Sequence, residues 1–445
     1  MSSRGNWLRR VAIALVQADR PIPARTEAET EAEVERHYAW NLAFNLGDGA
    51  AFFFGASFIS SATIVPLFVS KLTSEPFYLG LVAVIAQAGW FLPQLLTANF
   101  IERLPWKKPI VVNVGFFLER VPMVLPVIAA LVAVQTPSLA LALFLLGYAW
   151  HSLGAGFIAP AWQELLARCF PVTRRGRAFG LISFVGMGMG ALGALLSAWI
   201  LRSYAFATNF ALVFGIAAAA LTVSWIFLIL VREPPHPVRS PRQTNREFLS
   251  RLPQIVRRDH NFRRFLLSRS LLALGGMGTG FLTVSAVQRW NVPDSMVGFF
   301  TVASLLGQTL GSIFFGLLAD RRGHKLSMEL GAASGALSFT LALLAPSALW
   351  YLAVFFLLGI CSGANLVSGI LVILEFSEPQ RRPTYIGMAN TAVGLTAVVA
   401  PMLGAWLAGI SYGWLFAISL AIHWVAFAAM HWWVREPRYA ETVTV

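Results

Sequence analysis

Cysteine is scarce in this chain, with only Cys169 and Cys361 among 445 residues. Both fall in or beside different apolar runs and show no metal or redox spacing. This excludes a disulfide framework or a zinc site and leaves two packing thiols. Charged residues are nearly as thin on the ground, at 12% of positions. With 57% hydrophobic residues and a mean hydropathy of +0.66, no water-soluble fold could hide the apolar surface, so the chain reads as a polytopic membrane protein. No G-x-x-x-x-G-K-[ST] run is present, which leaves ATP-driven work within this chain without a phosphate-binding loop. The seven histidines are scattered. His236, His260 and His324 fall in loops with no partner at active-site spacing, which argues against an integral-membrane transferase. No cofactor and no metal is implied.

What the chain has in abundance is apolar sequence in runs of about twenty residues, the length that a roughly 30 Å hydrocarbon core requires. About twelve runs are expected, near 45–70, 76–100, 109–133, 137–167, 178–201, 208–231, 265–288, 294–318, 326–345, 347–375, 384–409 and 412–434. Ahead of them, residues 1–40 form an N-terminal arm. Trp7, Leu8, Val11 and Leu15 between arginines are expected to lie on an anionic inner leaflet, and the acidic run Glu27 to Glu35 to form a solvated helix or tether. Residues 41–231 and 265–434 are the two halves, joined by a polar linker at 232–264 and followed by a tail at 435–445. Phe248, Leu252, Ile255 and Val256 give the linker the spacing of an amphipathic surface helix.

The net charge of +13 comes from Lys and Arg placed between apolar runs, which sets topology and does not suit nucleic acid. Nearly all lie in the arm, the tail and the loops after even-numbered spans, while Lys71, Arg202 and Arg289 fall on the other side. By the positive-inside rule both termini are expected in the cytoplasm. The excess of Arg over Lys suits a bacterial inner membrane.

The halves repeat one another. Phe144-Leu145-Leu146-Gly147 recurs as Phe356-Leu357-Leu358-Gly359, and Arg174-Arg175, Gly180 and Trp199 have counterparts in Arg381-Arg382, Gly387 and Trp406 at one fixed offset. Between spans eight and nine lies Gly316-Leu317-Leu318-Ala319-Asp320-Arg321-Arg322-Gly323-His324-Lys325, where Gly323 permits a tight reversal. This G-x-L-A-D-R-x-G-x-K spacing resembles the signature loop of the major facilitator superfamily of secondary transporters. The first-half counterpart, Ala98 to Lys107, keeps acid, Arg and Lys in register but lacks the small first residue and the hinge glycine. The resemblance implies an all-α integral membrane fold with two six-helix halves in a pseudo-twofold arrangement.

Site candidates follow from charge. Glu102, Arg103 and Glu164, with Arg174 or Arg175, and Asp320, Arg321 and Glu375, with Arg381 or Arg382, are expected to form two gate clusters, together with Gly316, Gly323 and Lys325. Glu102 could also cap span eleven and Asp320 span five. The alternative is a set of interfacial salt bridges worth under about 1 kcal/mol each. Ionisable groups deep in spans are functional candidates by default. Asp48, with Asn41 and Asn45 on the same face, is either a proton carrier or the cap of span one. Glu119 and Arg120 sit near the middle of span three, where adjacent side chains project about 100° apart and could each take a separate partner. His151 is either a titrating group or a hydrogen-bonded packing residue, and Arg269 begins span seven. Tyr148, Ser152 and Trp162 share a stripe on span four. With Gln87, Trp90, Gln94, Gln288 and Asn365 they describe a weakly polar, aromatic-lined cavity.

The resemblance implies a secondary active transporter working by alternating access. The cavity composition favours proton-coupled export of amphipathic small molecules over highly anionic ones. Uptake of a sugar or other small polar nutrient is the alternative, and a membrane enzyme or a receptor on the same scaffold comes behind both. The expected partners are a small-molecule substrate, the lipid bilayer and the proton, with no nucleic acid, for a chain acting as a monomer.

Overall fold

The computed structural model describes residues 14–17, 20, 21, 23, 26–102, 104–171, 174–234, 256–376 and 382–437. Within them the chain crosses back and forth twelve times, and every regular element is helical. Eleven crossings are long and apolar enough to span a bilayer unaided. In hydrocarbon this is the expected outcome, because a helix satisfies its backbone hydrogen bonds within its own segment.

The remaining crossing is the first, and it departs from the predicted 45–70 run. A helix starts far earlier and spans Glu27–Ser57, breaks, and resumes as Ile64–Leu72. The early start has a local cause. Thr26 accepts from the Glu29 backbone at 3.2 Å while the Glu29 carboxylate accepts from Thr26 N–H at 2.8 Å, a capping box that satisfies two otherwise orphaned donors. The acidic run is thus the first turns of span one, with its negative charge at the positive helix end. The break falls at Phe58 to Thr63. Span seven is interrupted as well: His260–Gly275 and Thr279–Trp290 flank a 3-10 turn at Gly276–Gly278. It starts five residues before its predicted beginning, because Asp259 caps it by accepting from Phe262 N–H at 2.8 Å.

Span two is Pro76–Glu102, span four Pro137–Arg168, span five Arg175–Ser203 and span six Thr208–Leu230. In the second half, span eight is Asp294–Arg322, span nine His324–Leu344, span ten Trp350–Phe376, span eleven Arg382–Ile410 and span twelve Tyr412–Trp433. Span three is wound differently. It opens as two π-helical stretches, Ile110–Val114 and Phe116–Arg120, passes through a 3-10 turn at Val121–Met123 that contains Pro122, and becomes α-helical only at Val124–Val132.

Small residues set the closest approaches. In the first half Gly156 of span four lies against the Gly89 carbonyl of span two, and in the second half Gly359 of span ten lies against the Ser304 carbonyl of span eight. No Cβ could be accommodated at either position, which is how helices pack closely where lipid supplies no hydrophobic drive. The halves meet along two helix pairs, span two with span eleven and span five with span eight. The predicted linker helix around Phe248, Leu252 and Ile255 lies outside the described residues. So does residue 1–13 of the arm, but its continuation at 14–17 folds onto protein: Asn113 donates to the Leu15 carbonyl at 2.8 Å, and Arg20 sits 4.2 Å over the Trp106 ring.

Candidate functional site

The deepest charges of the first half converge. Asp48 is buried in the middle of the first helix, so it does not cap span one as the alternative reading had it. It lies seven residues beyond Asn41, a rise of about 10 Å. The Ser224 hydroxyl of span six donates to its Oδ1 at 2.6 Å, and the Trp162 indole of span four reaches the same carboxylate. Among the described residues no cation forms an ion pair with it. Arg120 and Glu119 lie close enough to act on it through space.

Glu119 and Arg120 do not take separate partners, as α-helical geometry suggests. They pair with each other, both buried. The π winding supplies the reason, because i→i+5 bonding puts more residues in each turn and brings consecutive side chains closer in azimuth. It also leaves backbone carbonyls available to neighbours. His151 on span four donates Nδ1–H to the Glu119 carbonyl at 2.7 Å, and Trp225 on span six donates to the Val112 carbonyl at 2.8 Å. Asp48, Ser224, Trp162, Glu119, Arg120 and His151 therefore form one buried assembly drawn from spans one, three, four and six. Arg120 Nε has no hydrogen-bond partner there.

In the second half the equivalent depth holds a different group. Arg269 lies nine residues inside span seven rather than at its start, and its Nη1 donates to the Gly369 carbonyl of span ten.

At the basic ends of both halves a clasp appears that no charge argument foresaw. Asn41 accepts from Arg232 N–H at 2.9 Å and donates to the Arg232 carbonyl at 3.0 Å; Asn261 does the same to Arg435, at 2.8 and 3.0 Å. The next residue in each case is a glutamate. Glu233 accepts from Lys107 N–H at 2.9 Å and Lys108 N–H at 2.9 Å, capping span three, and Glu436 accepts from Lys325 N–H at 3.1 Å, capping span nine. Burial lowers the Lys108 pKa, while Glu233 acts in the opposite direction.

The architecture is therefore twelve helical crossings in two halves, with charged loops after spans two and eight. The family model for the Major Facilitator Superfamily matches residues 49–289 and 265–444. The chain belongs to the major facilitator superfamily. The steroid transmembrane transporter SLC22A24 of Microcebus murinus is 30% identical over 159 residues, covering 35% of this chain and 27% of that one. This match therefore spans little more than a quarter of the relative. The cis,cis-muconate transport protein of Acinetobacter baylyi is 25% identical over 309 residues, 65% of this chain and 71% of that one. Among solved structures, an auto-inhibited POT family peptide transporter superposes with a TM-score of 0.66 at 13% identity, over 91% of this chain and 98% of its own, which shows the shared fold.

The signature loop of this superfamily member is built as the sequence suggests in one respect. Gly323 has φ +90°, and a Cβ there would collide with the Glu436 carboxylate. Other gate candidates take different partners. Glu164 is half exposed and pairs with Arg168 at 3.0 Å, and Arg168 in turn bonds Glu233 at 3.1 Å and the Pro105 carbonyl at 2.8 Å. Glu375 lies 3.9 Å from His324 Nε2, Arg321 is exposed, and Lys325 pairs with Glu329 at 3.2 Å. Gly316 faces Val367 across van der Waals distance. Arg103 lies outside the described residues, as do the side chains of Glu102 and Asp320. Among the described residues, Glu233 and Glu436 are the acids that cap spans three and nine, each within its own half. The sequence carries their signal as Val231-Arg232-Glu233-Pro234 repeated in Val434-Arg435-Glu436-Pro437, preceded by Asn41 and Asn261.

Several cavity candidates turn out to be structural. Asn41 is committed to Arg232, and Asn45 donates to the Asn41 carbonyl at 2.7 Å. Tyr148 is buried and stacked on Phe144 at 5.6 Å. Gln94 donates to Trp90 O at 2.7 Å and Asn365 to Cys361 O at 3.0 Å, both within their own helices. Ser152 is buried against Gly89, Trp90 is half-buried, and Gln87 and Gln288 are exposed. The reason is common to most of these: a polar side chain in a span finds a nearby carbonyl before it finds water.

Proposed function

We propose that this chain is a proton-coupled secondary transporter of small amphipathic molecules, with Asp48 carrying the proton. The observation that supports this is an intramembrane carboxylate held by two neutral donors, Ser224 and Trp162, with no cation locked onto it. Such a group can gain and lose a proton without breaking an ion pair, whereas Glu119 is committed to Arg120. The nearby pair sets the local field, and His151 holds span three in place through the Glu119 carbonyl. In this reading the basic face lies in the cytoplasm of a bacterial inner membrane, and one copy of the chain rocks between two open states around the site.

Export is the proposed direction, because an aromatic-rich interior with few fixed charges suits an amphipathic solute. The name of one relative, a steroid transporter, supports an amphipathic organic substrate.

The test is transport in proteoliposomes under an imposed pH gradient, with a panel of amphipathic ions and sugars, for wild type and Asp48→Asn. Gradient-driven movement of an amphipathic compound that disappears in the variant is the expected result, and the gradient polarity that drives it reports direction. Movement that survives in the variant returns Asp48 to a packing role.

A further inference from the structure

Arg269 is a charge deep in a span that the proposed proton-coupling assembly leaves unused. It sits in span seven, two and a half turns from the helix start, where span one carries Asp48 at almost the matching position: Asn41 and Asn261 make the same clasp, and Asp48 and Arg269 follow them by seven and eight residues. A guanidinium offers five N–H donors. Here Nη1 alone has a hydrogen-bond partner among the described residues, the Gly369 carbonyl. No acid pairs with the group there, and no neighbouring charge acts on it. This contrasts with Arg120, which is paired with Glu119.

Arg269 is enclosed by protein yet keeps accessible surface, and its unbonded nitrogens are not among the sealed, unsatisfied atoms, as Arg120 Nε is. The rest of the fork therefore keeps surface that a ligand could reach. Gly369 lies beside it, where a Cβ would be in ordinary contact at 3.4 Å from Nη2. The surroundings are otherwise apolar. Phe265 and Leu272, four before and three after Arg269 on the same helical face, are buried in a cluster with Val372 and Ile373 of span ten, and Phe265 packs on Phe376 at 5.1 Å.

A lone cation inside a membrane protein is costly unless something neutralises it. We infer that Arg269 is the recognition point for a single carboxylate on an otherwise apolar molecule, the planar fork taking the two oxygens. This deepens the proposed function by assigning an acidic group to the amphipathic substrate. Two carboxylates would leave one unmatched, because no second free cation is described at this depth.

Binding tests this without any gradient. Purified full-length protein is titrated with 2-naphthoate, octanoate and the uncharged 2-naphthamide, by calorimetry at a pH where both acids are ionised. At least one acid is expected to bind and the amide to bind tenfold or more weakly. Arg269→Gln should lose the acid tenfold or more while leaving amide binding unchanged, and Arg269→Lys should keep part of the affinity with the same elution profile as wild type. Because binding is read at equilibrium and without a gradient, its loss in Arg269→Gln is a separate result from the loss of gradient-driven movement in Asp48→Asn, so a failed coupling role and a failed anion site are separable. Equal binding of acid and amide, undiminished binding by Arg269→Gln, or no binding of either acid to the wild type would overturn the assignment.

Discussion

Asp48 and Glu119 are both buried carboxylates in spans, yet their partners give them different expected behaviour on substitution. Glu119 belongs to a buried ion pair, and removing one member leaves an uncompensated charge. Glu119→Gln should therefore destabilise by about 3–5 kcal/mol, whereas Glu119→Leu with Arg120→Met, which removes both charges, should cost markedly less. Thermal unfolding in detergent of the single and double variants measures this, and a double variant as unstable as the single would show that the pair is held by more than its own charges. At Gly323 the argument is conformational. A side chain at φ +90° is strained by about 1–2 kcal/mol and would also press on Glu436, so Gly323→Ala should lower stability through the span eight to nine turn. These residue-scale differences are only partly legible in sequence. The hinge glycine announces itself by its neighbours, but the pairing of Glu119 with Arg120 depends on π winding that no residue pattern in Ile110 to Arg120 signals.

Among the elements, the clasps at the basic ends are the features most dependent on a few hydrogen bonds. Glu233 accepts from two backbone N–H groups of span three and from Arg168, while Glu436 is described with the span nine N–H of Lys325. Charge-assisted bonds of this kind are worth about 1.5–3 kcal/mol each when the group is buried. Glu233→Gln should accordingly destabilise the first half by about 3 kcal/mol, and Glu436→Gln should destabilise the second. Hydrogen exchange at the start of spans three and nine would resolve them, and equal protection in Glu233→Gln and wild type would refute the capping role. The repeated V-R-E-P tetrapeptide is visible in the sequence, but that its glutamates reach the starts of spans three and nine depends on how the end of each half folds back onto it.

Across the whole molecule, the two halves are fastened at the face opposite the basic one. Lys71 pairs with Asp294 at 2.8 Å, Thr63 meets the Thr301 hydroxyl at 2.6 Å, and Thr283 donates to the Ala62 carbonyl at 2.8 Å, where the break in span one exposes it. The ion pair is partly exposed and worth under about 1 kcal/mol, which still shifts a two-state balance by up to about fivefold. With spin labels at Gln135 and Ser347, one in each half on this face, Asp294→Asn is expected to add a population at longer distance. An unchanged distance distribution would mean that the apolar contacts alone hold the face shut.

Composition and run length by themselves determined that this chain is helical, crosses the membrane about twelve times and repeats in two halves. The physics behind that is local: a bilayer core admits only segments that satisfy their own backbone, and about twenty apolar residues suffice for each. The charges worth attention were also visible, because an ionisable residue in an apolar run is conspicuous wherever it folds. Only the tertiary structure decided which of them share a site. Asp48 meets Ser224 and Trp162, and Arg269 bonds the Gly369 carbonyl, because of contacts between spans far apart in sequence. Partner choice across a bundle depends on helix rotation and depth, and a bend as small as the π turn in span three is enough to change it.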